Sequence, residues 1–432
     1  MFEKRDSVLQ ASMGGGVQLS GGAKVLEALG QLPALHAAAE RFTGVLSRNS
    51  LAEVLLDLDV DALVRERAPD VLCADSDGTP VTYSIMRDAL QGLLVQAACA
   101  REGGAGPRVT ITTGKQCTQV LQDTAENPTV GLVFADGSMV TGFDLVVGAD
   151  GISSAVRDFT ASQNAPLLPI PLLEPGNRYT GVRITFATTD ADPEFVLRPK
   201  QDRGKFHQWF GDGCYALCAS YGGSEGVQHM LSLVRGAKDD DAVYGENAEW
   251  TEDSTDLKAT TKERLLKAGF KGNADLMTLL DGCNAERFVD ISVRDRSLPL
   301  KGWSSQSGRV VLLGDSAHAM APFLGQGANQ AIEDAYALAF HVNRYNSPAG
   351  MRALAGGSLK PFVDAYELER KLPTGILSVK SNFLGLVETL GGPMGQLVRD
   401  LFFKTMGRLG VAAYIFLDGA TPKVDLRDYR DK

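Results

Sequence analysis

The spacing of apolar residues changes several times along the chain, and each change predicts a different element. Short runs with strand character occupy residues 109–113, 116–122 and 130–135, and the dipeptide Asp136-Gly137 that follows is typical of a β-hairpin turn. Residues 143–147 (FDLVV) are mostly apolar, and we predict that they form a buried strand. We therefore expect this part of the chain to be mainly sheet.

Apolar residues at helical spacing follow Ser84 and continue to residue 97, so we predict a helix with Ser84 as its N-cap. Arg87 falls in the first turn of this helix, where the helix dipole disfavours a positive charge. Either Arg87 is an ordinary surface arginine, or the anion of a ligand compensates its charge.

A strand over residues 309–313, a loop and a long helix from about Gln326 to Asn343 form a strand-loop-helix unit, which is a common ligand-binding arrangement. After Pro361 the chain has the pattern of amphipathic helices. We expect this helical end to be interrupted at three places: Pro373, residues 391–393 and Gly419.

The chain has 432 residues, more than one compact core usually supports, and its character changes at about residue 166, where strand-like segments begin. We therefore expect three parts. They are an α/β domain of residues 1–165 together with 288–350, a β-rich domain of residues 166–287 inserted into it, and C-terminal helices over residues 351–432.

Composition limits the partners. The formal net charge of -10 gives no general attraction to phosphate backbones, so we expect no nucleic acid and favour a small organic molecule as the ligand. The six cysteines form no CxxC pair and lack closely spaced histidines, so we expect free thiols and no metal site. Free thiols indicate a reducing compartment, and we expect an intracellular, cytoplasmic location.

No apolar stretch reaches the roughly 20 residues that span a bilayer, so no transmembrane segment is predicted. The charged start of the chain does not have the pattern of a signal peptide, although organelle targeting stays open. The C-terminal amphipathic helices leave peripheral membrane contact open, with packing against protein as the commoner arrangement.

The segment from Gly314 to Asp334 combines a carboxylate at a strand end with a glycine-rich helix start. Asp315 can accept a hydrogen bond from a sugar-like hydroxyl, and Gly314 lets a ligand approach the backbone closely. The amides of residues 325–329 would lie at a helix N-terminus, where the dipole favours negative charge. The group held there is either a phosphate or the electron-rich edge of a reduced flavin ring.

A second turn, Asp150-Gly151, follows the predicted strand 143–147, and Arg157 lies a few residues further on. Ligands of open α/β sheets collect at the carboxyl ends of strands, so this turn is a second candidate for ligand binding. Arg157 either orients the loop through a salt bridge or contacts a ligand directly.

Together, residues 314–334 (GDSAHAMAPFLGQGANQAIED) and 144–157 (DLVVGADGISSAVR) resemble the two signature motifs of class A FAD-dependent monooxygenases. The resemblance is closest to kynurenine-hydroxylase-like and zeaxanthin-epoxidase-like members. It implies FAD as the cofactor and NAD(P)H as a transient co-substrate. It assigns cofactor contacts to twelve residues: Glu3, Arg87, Asp150, Gly151, Gly314, Asp315, Pro322, Gly325, Gln326, Gly327, Ala328 and Asn329.

Within that resemblance, Asp315 contacts ribityl or ribose hydroxyls, Pro322 lies beside the flavin ring, and the backbone of residues 325–329 holds the pyrimidine edge of the ring. Arg87 matches the arginine on the helix that reaches the FAD. No residue is assigned a catalytic role. His318 is expected to be a packed, hydrogen-bonded histidine.

The start of the chain departs from the family pattern. Family members begin with a strand, a glycine-rich turn, a helix and a second strand whose final acidic residue binds the adenosine ribose; here residues 2–5 resemble only that ending, with Glu3 as the acid. We therefore expect a Rossmann-like FAD-binding domain that lacks its first strand-turn-helix and has unpaired strand edges. Our hypothesis for the missing part is a truncated gene model in which an upstream exon was missed.

The function implied by the resemblance is insertion of one atom of O₂ into an aromatic or isoprenoid-like substrate, through a flavin C4a-hydroperoxide. The β-rich domain would form the roof of the substrate pocket. Two alternatives stay open: another flavin oxidoreductase of the same fold, and a flavin-deficient remnant that acts as a non-catalytic binding module.

Overall fold

The structure is a computed structural model, and it describes residues 1–9, 15–70, 72–74, 78–100, 109–121, 129–164, 177–190, 204–223, 226–237, 254–296, 302–347 and 357–426. The strands of these residues are β1 (Gly16–Leu19), β2 (Glu40–Phe42), β3 (Gly44–Asn49), β4 (Val54–Asp59), β5 (Cys73–Ala74), β6 (Pro80–Met86), β7 (Cys117–Leu121), β8 (Val130–Phe134), β9 (Met139–Phe143), β10 (Val146–Gly148), β11 (Asn177–Thr188), β12 (Lys205–Phe210), β13 (Cys214–Gly223), β14 (Gly226–Gly236), β15 (Val289–Arg296) and β16 (Val310–Leu312). The helices are α1 (Gly21–Ala28), α2 (Leu32–Ala38), α3 (Val60–Arg67), α4 (Arg87–Cys99), α5 (Ala155–Gln163), α6 (Ser254–Lys267), α7 (Ala274–Gly282), α8 (Asp315–His318), α9 (Gly327–Asn346), α10 (Lys360–Glu388), α11 (Gly392–Arg408) and α12 (Val411–Ala420).

The largest sheet combines distant parts of the chain. Its order is β15, β11, β14, β13, β12, β3 and β4, and β6 joins it beside β13 and pairs with β1, β2 and β5. β12 runs parallel to β3, with Phe206 opposite Val45. The segment expected to form a separate β-rich domain therefore builds its sheet together with strands from the first part of the chain. The domain boundaries stay predictions, and those at residues 165 and 350 lie outside the described residues.

A second, small sheet has the parallel arrangement expected of a Rossmann-like domain. β10 and β16 lie side by side, with Val146 opposite Val310 and Gly148 opposite Leu312. β16 is fully buried in a core that also contains Tyr366 of α10, whose hydroxyl donates to the carbonyl oxygen of Leu312 at 3.0 Å. The chain thus has the mixed α/β fold with C-terminal helices that the sequence predicts.

Strands β7, β8 and β9 form an antiparallel sheet, and the predicted hairpin between β8 and β9 is confirmed. Its turn lies at Asp136-Gly137, where Gly137 has a φ of 79°, and Val133 faces Met139 across the hairpin. A positive φ of this kind is readily adopted by glycine, which explains why Asp-Gly is a reliable hairpin signal.

The first residues of the chain lie beside the segment that precedes β7. Phe2 forms a parallel bridge with Thr112, and the Glu3 amide donates to the Thr112 carbonyl oxygen at 2.9 Å. The prediction of a full strand over residues 109–113 is wrong, because the structure gives this segment only that one bridge. Within the described residues the strand neighbour of β10 is β16, and Val147 in the middle of β10 is 41% exposed.

The helix predicted from Ser84 begins three residues later, at Arg87, with Met86 as its N-cap. Ser84 is not a cap: it is buried in the middle of β6, opposite Gln18 of β1 and Glu40 of β2. Pairing with strands that are distant in sequence therefore overrides the local capping signal.

Pro373 was expected to end a helix, but α10 continues through it from Lys360 to Glu388. Proline removes one backbone hydrogen bond. In α10 the next residue, Thr374, donates its hydroxyl to the Arg370 carbonyl oxygen at 2.8 Å, and Thr374 is fully buried against the protein. Tertiary packing therefore offsets the lost bond. Within the described residues, no helix has both the length and the apolar character required to cross a bilayer.

Candidate functional site

Two loops start side by side at the carboxyl ends of β10 and β16. The carbonyl oxygen of Gly148 accepts from the Leu313 amide at 3.0 Å and from the Ser316 hydroxyl at 2.6 Å. These bonds hold the start of the Asp150 loop against the start of the Asp315 loop. The structure thus brings together the two carboxylates that the sequence motifs single out, at the sheet edge where ligands of α/β folds collect.

The Asp150 carboxylate accepts hydrogen bonds from its own loop and is also exposed to solvent. It accepts from the hydroxyl of Ser154 and from the amide of Val156 at 3.3 Å, while Ser154 itself caps α5 by accepting from the Arg157 amide at 2.9 Å. Gly151, next to it, has a φ of 80°. Asp150 therefore shapes the turn, and its exposed side chain still has oxygen lone pairs that face outward.

Arg157 joins the two loops. Its buried guanidinium donates to the carbonyl oxygens of Ser316 at 2.7 Å and Ala317 at 2.8 Å. Burial, together with the nearby positive charge of Arg296, lowers the pKa of Arg157 to about 10. Of the two interpretations that the sequence left open, the structure shows the orienting one, although the acceptors are backbone carbonyls rather than a carboxylate.

Arg296 is a site residue that sequence reasoning missed. It lies at the end of β15, where its guanidinium donates to the Ile152 carbonyl oxygen and its amide donates to the Ala319 carbonyl oxygen at 2.9 Å. It therefore spans the same two loops as Arg157. No local motif surrounds it in the sequence, so only the pairing of β15 with β11 could have located it.

Gly314 and Asp315 form the turn after β16. Gly314 has a φ of 59° and a ψ of -141°, a combination that residues with a side chain strongly disfavour, and its amide donates to the Asp334 carboxylate at 2.8 Å. Asp315 is exposed, and its carboxylate makes no hydrogen bond within the described part of the chain. It is therefore free to accept a hydrogen bond from a ligand.

The loop continues into the N-terminus of α9. Pro322 is exposed in a short 3-10 turn that Gly325 closes, with a φ of 63° and its amide donating to the Pro322 carbonyl oxygen at 2.8 Å. α9 has no side-chain cap at its N-terminus, and its first helical bond runs from Gln330 to Gln326. The amides of residues 327–329 therefore have no partner within the helix, and the dipole of this 20-residue helix favours an anion there.

Asn329 anchors this helix start. Its side chain is fully buried, and its Oδ1 accepts from the amides of Ser20 at 2.9 Å and Gly22 at 3.0 Å. Its Nδ2 donates to the carbonyl oxygens of Gln18 at 2.9 Å and Gly325 at 3.3 Å. The predicted role of Asn329 lay in its backbone; the structure adds that its side chain fixes β1 and the start of α1 to the loop.

A buried group of charges lies beneath the loop. Arg370 of α10 donates from Nε to Asp334 at 2.7 Å and from Nη1 to Glu333 at 3.1 Å, and His318 lies 2.5 Å from Asp334. Burial alone would raise the pKa of Asp334, but His318 and Arg370 outweigh it and lower the pKa. Burial raises the pKa of Glu333 despite Arg370. As expected, His318 is a packed, hydrogen-bonded histidine.

Arg87 and Glu3 lie on other elements. Arg87 is the exposed first residue of α4, and its amide donates to the Gly15 carbonyl oxygen at 3.3 Å, just before β1. The far end of β1 is the one that Asn329 holds. β1 therefore places Arg87 roughly 10–15 Å from the α9 loop, since a strand residue spans about 3.3 Å. The side chain of Glu3 is half-buried and accepts from the Arg5 amide at 3.0 Å.

The large sheet turns an apolar face toward the same loop. Phe323 of the loop and Leu384 of α10 are partly exposed and pack on the cluster that includes Ile184 and Leu217 of the sheet. Glu388 is buried at the border of this region, where its Oε1 accepts from Gln208 at 2.9 Å. Burial raises the pKa of Glu388 to about 7, despite lowering by its hydrogen bonds. The sequence carried no signal for this carboxyl.

The geometry fits a flavin nucleotide. An unpartnered carboxylate at Asp315 suits a ribityl or ribose hydroxyl, and the uncapped start of α9 suits an electron-rich ring edge. A further buried acceptor, the Oε1 of Gln326, has no partner within the described residues. Together these groups define a flavin-binding class of site between a Rossmann-like strand pair and a large sheet.

Comparison with known proteins leads to the same class. Residues 302–352 match the model of an FAD-binding domain. The chain is 30% identical to 3-amino-4-hydroxybenzoate 2-monooxygenase PtmB3 of Streptomyces platensis, over 76% of this chain and 70% of that protein. It is also 30% identical to the chloroplastic zeaxanthin epoxidase of Solanum lycopersicum, over 80% of this chain and 45% of that protein. The chain thus spans less than half of this epoxidase.

Solved structures share the fold. Klebsiella pneumoniae HpxO complexed with FAD and uric acid superimposes with a TM-score of 0.69 at 18% identity, covering 97% of this chain and 90% of that one. Tetracycline destructase Tet(55) gives a TM-score of 0.62 at 15% identity, covering 99% and 91%. The chain belongs to the class A FAD-dependent monooxygenases, and FAD is its cofactor.

Proposed function

We propose that this protein uses NAD(P)H and FAD to insert one oxygen atom of O₂ into a largely apolar, aromatic or isoprenoid-like organic substrate. The observation that carries the proposal is the parallel pairing of β10 and β16. It starts the Asp150 loop beside the loop that carries Asp315, whose carboxylate has no partner within the described residues, and that second loop leads into the uncapped N-terminus of α9. Bound FAD would supply the redox chemistry and the activation of O₂.

The chain's own groups hold and orient the cofactor. Asp315 would accept a hydrogen bond from a hydroxyl of the ribityl or ribose unit, and the α9 amides would stabilise negative charge on the flavin ring. Arg157 and Arg296 keep the two loops together by bonding their carbonyl oxygens. Asp150 and Gly151 shape the second loop, which we propose as the other wall of the cofactor site.

Arg87 is proposed to bind the phosphate end of the cofactor. It lies at the opposite end of β1 from the α9 loop, and that separation of roughly 10–15 Å suits an extended dinucleotide whose ring lies at the loop. A guanidinium binds phosphate oxygens with paired donors. A ligand anion beside Arg87 also explains a cation in the first turn of α4. Glu3 is proposed to contact the adenosine ribose.

The substrate side of the site is proposed to be the apolar sheet face around Ile184, Leu217 and Phe323. These partly exposed apolar side chains exclude water from the reacting region and favour an apolar substrate. The relatives named for hydroxybenzoates and for zeaxanthin epoxidation favour an aromatic ring or an isoprenoid double bond.

The six cysteines form no disulfide, which supports an intracellular location.

The test is isotope incorporation. The purified chain is supplied with FAD, NADPH or NADH and ¹⁸O₂, together with separate panels of phenolic acids and of isoprenoid alkenes. We expect consumption of NAD(P)H and a product of one panel carrying one ¹⁸O atom. The Asp315→Ala variant should lose this activity at limiting FAD, whereas Asp70→Ala, at an exposed aspartate after α3, should keep it.

Two outcomes would reject the proposal. A chain that binds FAD and oxidises NAD(P)H without placing ¹⁸O in any product would be another flavin oxidoreductase. A chain that binds no flavin and consumes no NAD(P)H would be a non-catalytic binding module.

A further inference from the structure

The long helix α10 has its polar residues on the wrong side for a helix exposed to water. Its inward face carries buried polar residues, among them Arg370, Thr374 and Ser381. Between residues 368 and 386, every exposed position is instead a large apolar residue, with 44–81% of each residue exposed. These six residues are Leu368, Leu372, Ile376, Val379, Phe383 and Leu386. Surface helices normally show the opposite distribution.

Helix α11 continues this surface. From residue 393 to residue 401 every exposed position is apolar, and the large residues among them are Met394, Leu397, Val398 and Leu401. The two helices are in contact, because the rings of Phe383 and Phe402 lie 6.0 Å apart. We call these ten large exposed residues the α10–α11 apolar face.

The size of this face is unusual for a protein that meets only water. A large apolar side chain has on the order of 200 Å² of surface and about half of it is exposed here, so the ten residues present on the order of 1,000 Å². The largest apolar patch of a typical monomer measures roughly 300–600 Å². A partner for the α10–α11 apolar face is therefore expected.

The chemistry of the face favours a lipid bilayer over a second copy of the chain. A protein interface of this area would contain about one hydrogen bond per 100–200 Å², and its most important residues are commonly Trp, Tyr and Arg. The exposed positions of the face carry only aliphatic residues, one methionine and one phenylalanine. A bilayer needs no hydrogen-bonding partners from the residues that enter it.

The charges around the face also indicate the headgroup charge of the bilayer. Three lysines on or beside it are each engaged in an ion pair: Lys371 with Glu367, Lys380 with Asp418 and Lys404 with Glu53. The chain as a whole has a formal net charge of -10. Attraction to anionic lipid is therefore weak, and binding would depend on apolar contact alone.

We propose that the α10–α11 apolar face docks on the surface of a zwitterionic lipid bilayer. The helices lie on the membrane rather than across it, since the inward side of α10 packs on the protein. α10 also contacts the cofactor loop, where Ser381 donates to the Ala321 carbonyl oxygen at 2.6 Å. If the proposed monooxygenase function holds, docking would place the active site next to a membrane-dissolved apolar substrate; the docking itself does not depend on that function.

Vesicle flotation tests the proposal. The FAD-supplemented chain is mixed with phosphatidylcholine vesicles and centrifuged through a density gradient. We expect the chain to float with the vesicles, equally well in low and high salt. The double variant Leu372→Glu/Leu397→Glu should bind at least about tenfold more weakly, because two carboxylates would have to leave water. The control Met139→Glu, at a residue 60% exposed on β9, should float like the unmodified chain.

A second readout does not require the double variant to fold. The Phe383→Trp variant should lose tryptophan fluorescence when the vesicles contain bromine-labelled lipid, beyond any loss seen in the unmodified chain. Failure of the unmodified chain to float, or flotation only with anionic lipid, would overturn the proposal. So would sedimentation as a dimer that the double variant dissociates, which would assign the face to a second copy. Loss of isotope incorporation with normal flotation would reject only the monooxygenase function.

Discussion

Replacing Asn329 by alanine should strongly destabilise the protein although this residue carries no charge. α1 has no side-chain cap of its own, and Asn329 supplies one from outside by accepting from the Ser20 and Gly22 amides at 2.9 and 3.0 Å. The same side chain donates to the carbonyl oxygens of Gln18 and Gly325. The Asn329→Ala variant removes all four bonds in a fully buried place.

The magnitude follows from the donors left behind. An unpaired buried donor costs roughly 1–3 kcal/mol, and two are created, so we expect a loss of about 3–5 kcal/mol once the less demanding carbonyls are included. The backbones of α1 and α9 are already in close contact, because a Cβ added at Gly22 would lie 3.2 Å from the Asn329 Cα. They therefore cannot move closer together to fill the gap that the variant leaves. We further expect weaker FAD binding, because the α9 loop loses its attachment to β1.

Urea unfolding measures the loss, and FAD fluorescence measures the affinity. Asn343→Ala is the matched control, because Asn343 lies on the same helix and is exposed. It should change stability by less than about 0.5 kcal/mol. A loss below about 1 kcal/mol for Asn329→Ala, or an equal loss for both variants, would refute the assignment of Asn329 as the link between α9 and β1.

Two further variants test individual features. Gly314→Ala should lower stability by about 1–3 kcal/mol because of its φ of 59° and ψ of -141°, whereas Gly327→Ala, where an added Cβ meets nothing within 4 Å, should be nearly neutral in urea unfolding. Glu388 has a folded-state pKa of about 7, above its ordinary 4.5. Its contribution to folding stability is therefore present at low pH and is lost as the pH rises through 7. Between about pH 5 and 8, Glu388→Gln should therefore gain stability relative to the unmodified protein, by up to about 3 kcal/mol. The control Glu286→Gln, at an exposed position, should show no such trend. A stability difference between Glu388→Gln and the unmodified protein that does not change with pH would contradict the burial of Glu388 as a protonated acid.

The elements that the sequence predicted correctly are those whose signal is local. The hairpin at Asp136-Gly137 requires a residue that adopts a positive φ, and the long helix α9 follows the buried strand β16 after a loop, in the predicted strand-loop-helix order. The approach of Asp150 to Asp315 was also predictable, because parallel strands deliver their following loops to one sheet edge.

The errors arose where distant parts of the chain decide the structure. Ser84 has the chemistry of a helix cap, but β1 and β2 on either side make its segment a strand. The pairing of β3 with β12 joins residues about 160 positions apart, and no pattern within either strand encodes it. Arg296 and Glu388 were missed for the same reason, since their roles depend on neighbours that only the folded chain supplies.

The most direct test of the flavin site is an FAD titration of the purified chain, followed by quenching of flavin fluorescence, with Asp315→Ala and Asp70→Ala beside it. Because a hydrogen bond to a charged group contributes about 1.5–3 kcal/mol, the account predicts one FAD per chain and at least about tenfold weaker binding for Asp315→Ala alone, with stability unchanged. An unmodified chain that binds no FAD, or an Asp315→Ala variant that binds it with undiminished affinity, would contradict the assignment of the β10 and β16 loops as the cofactor site.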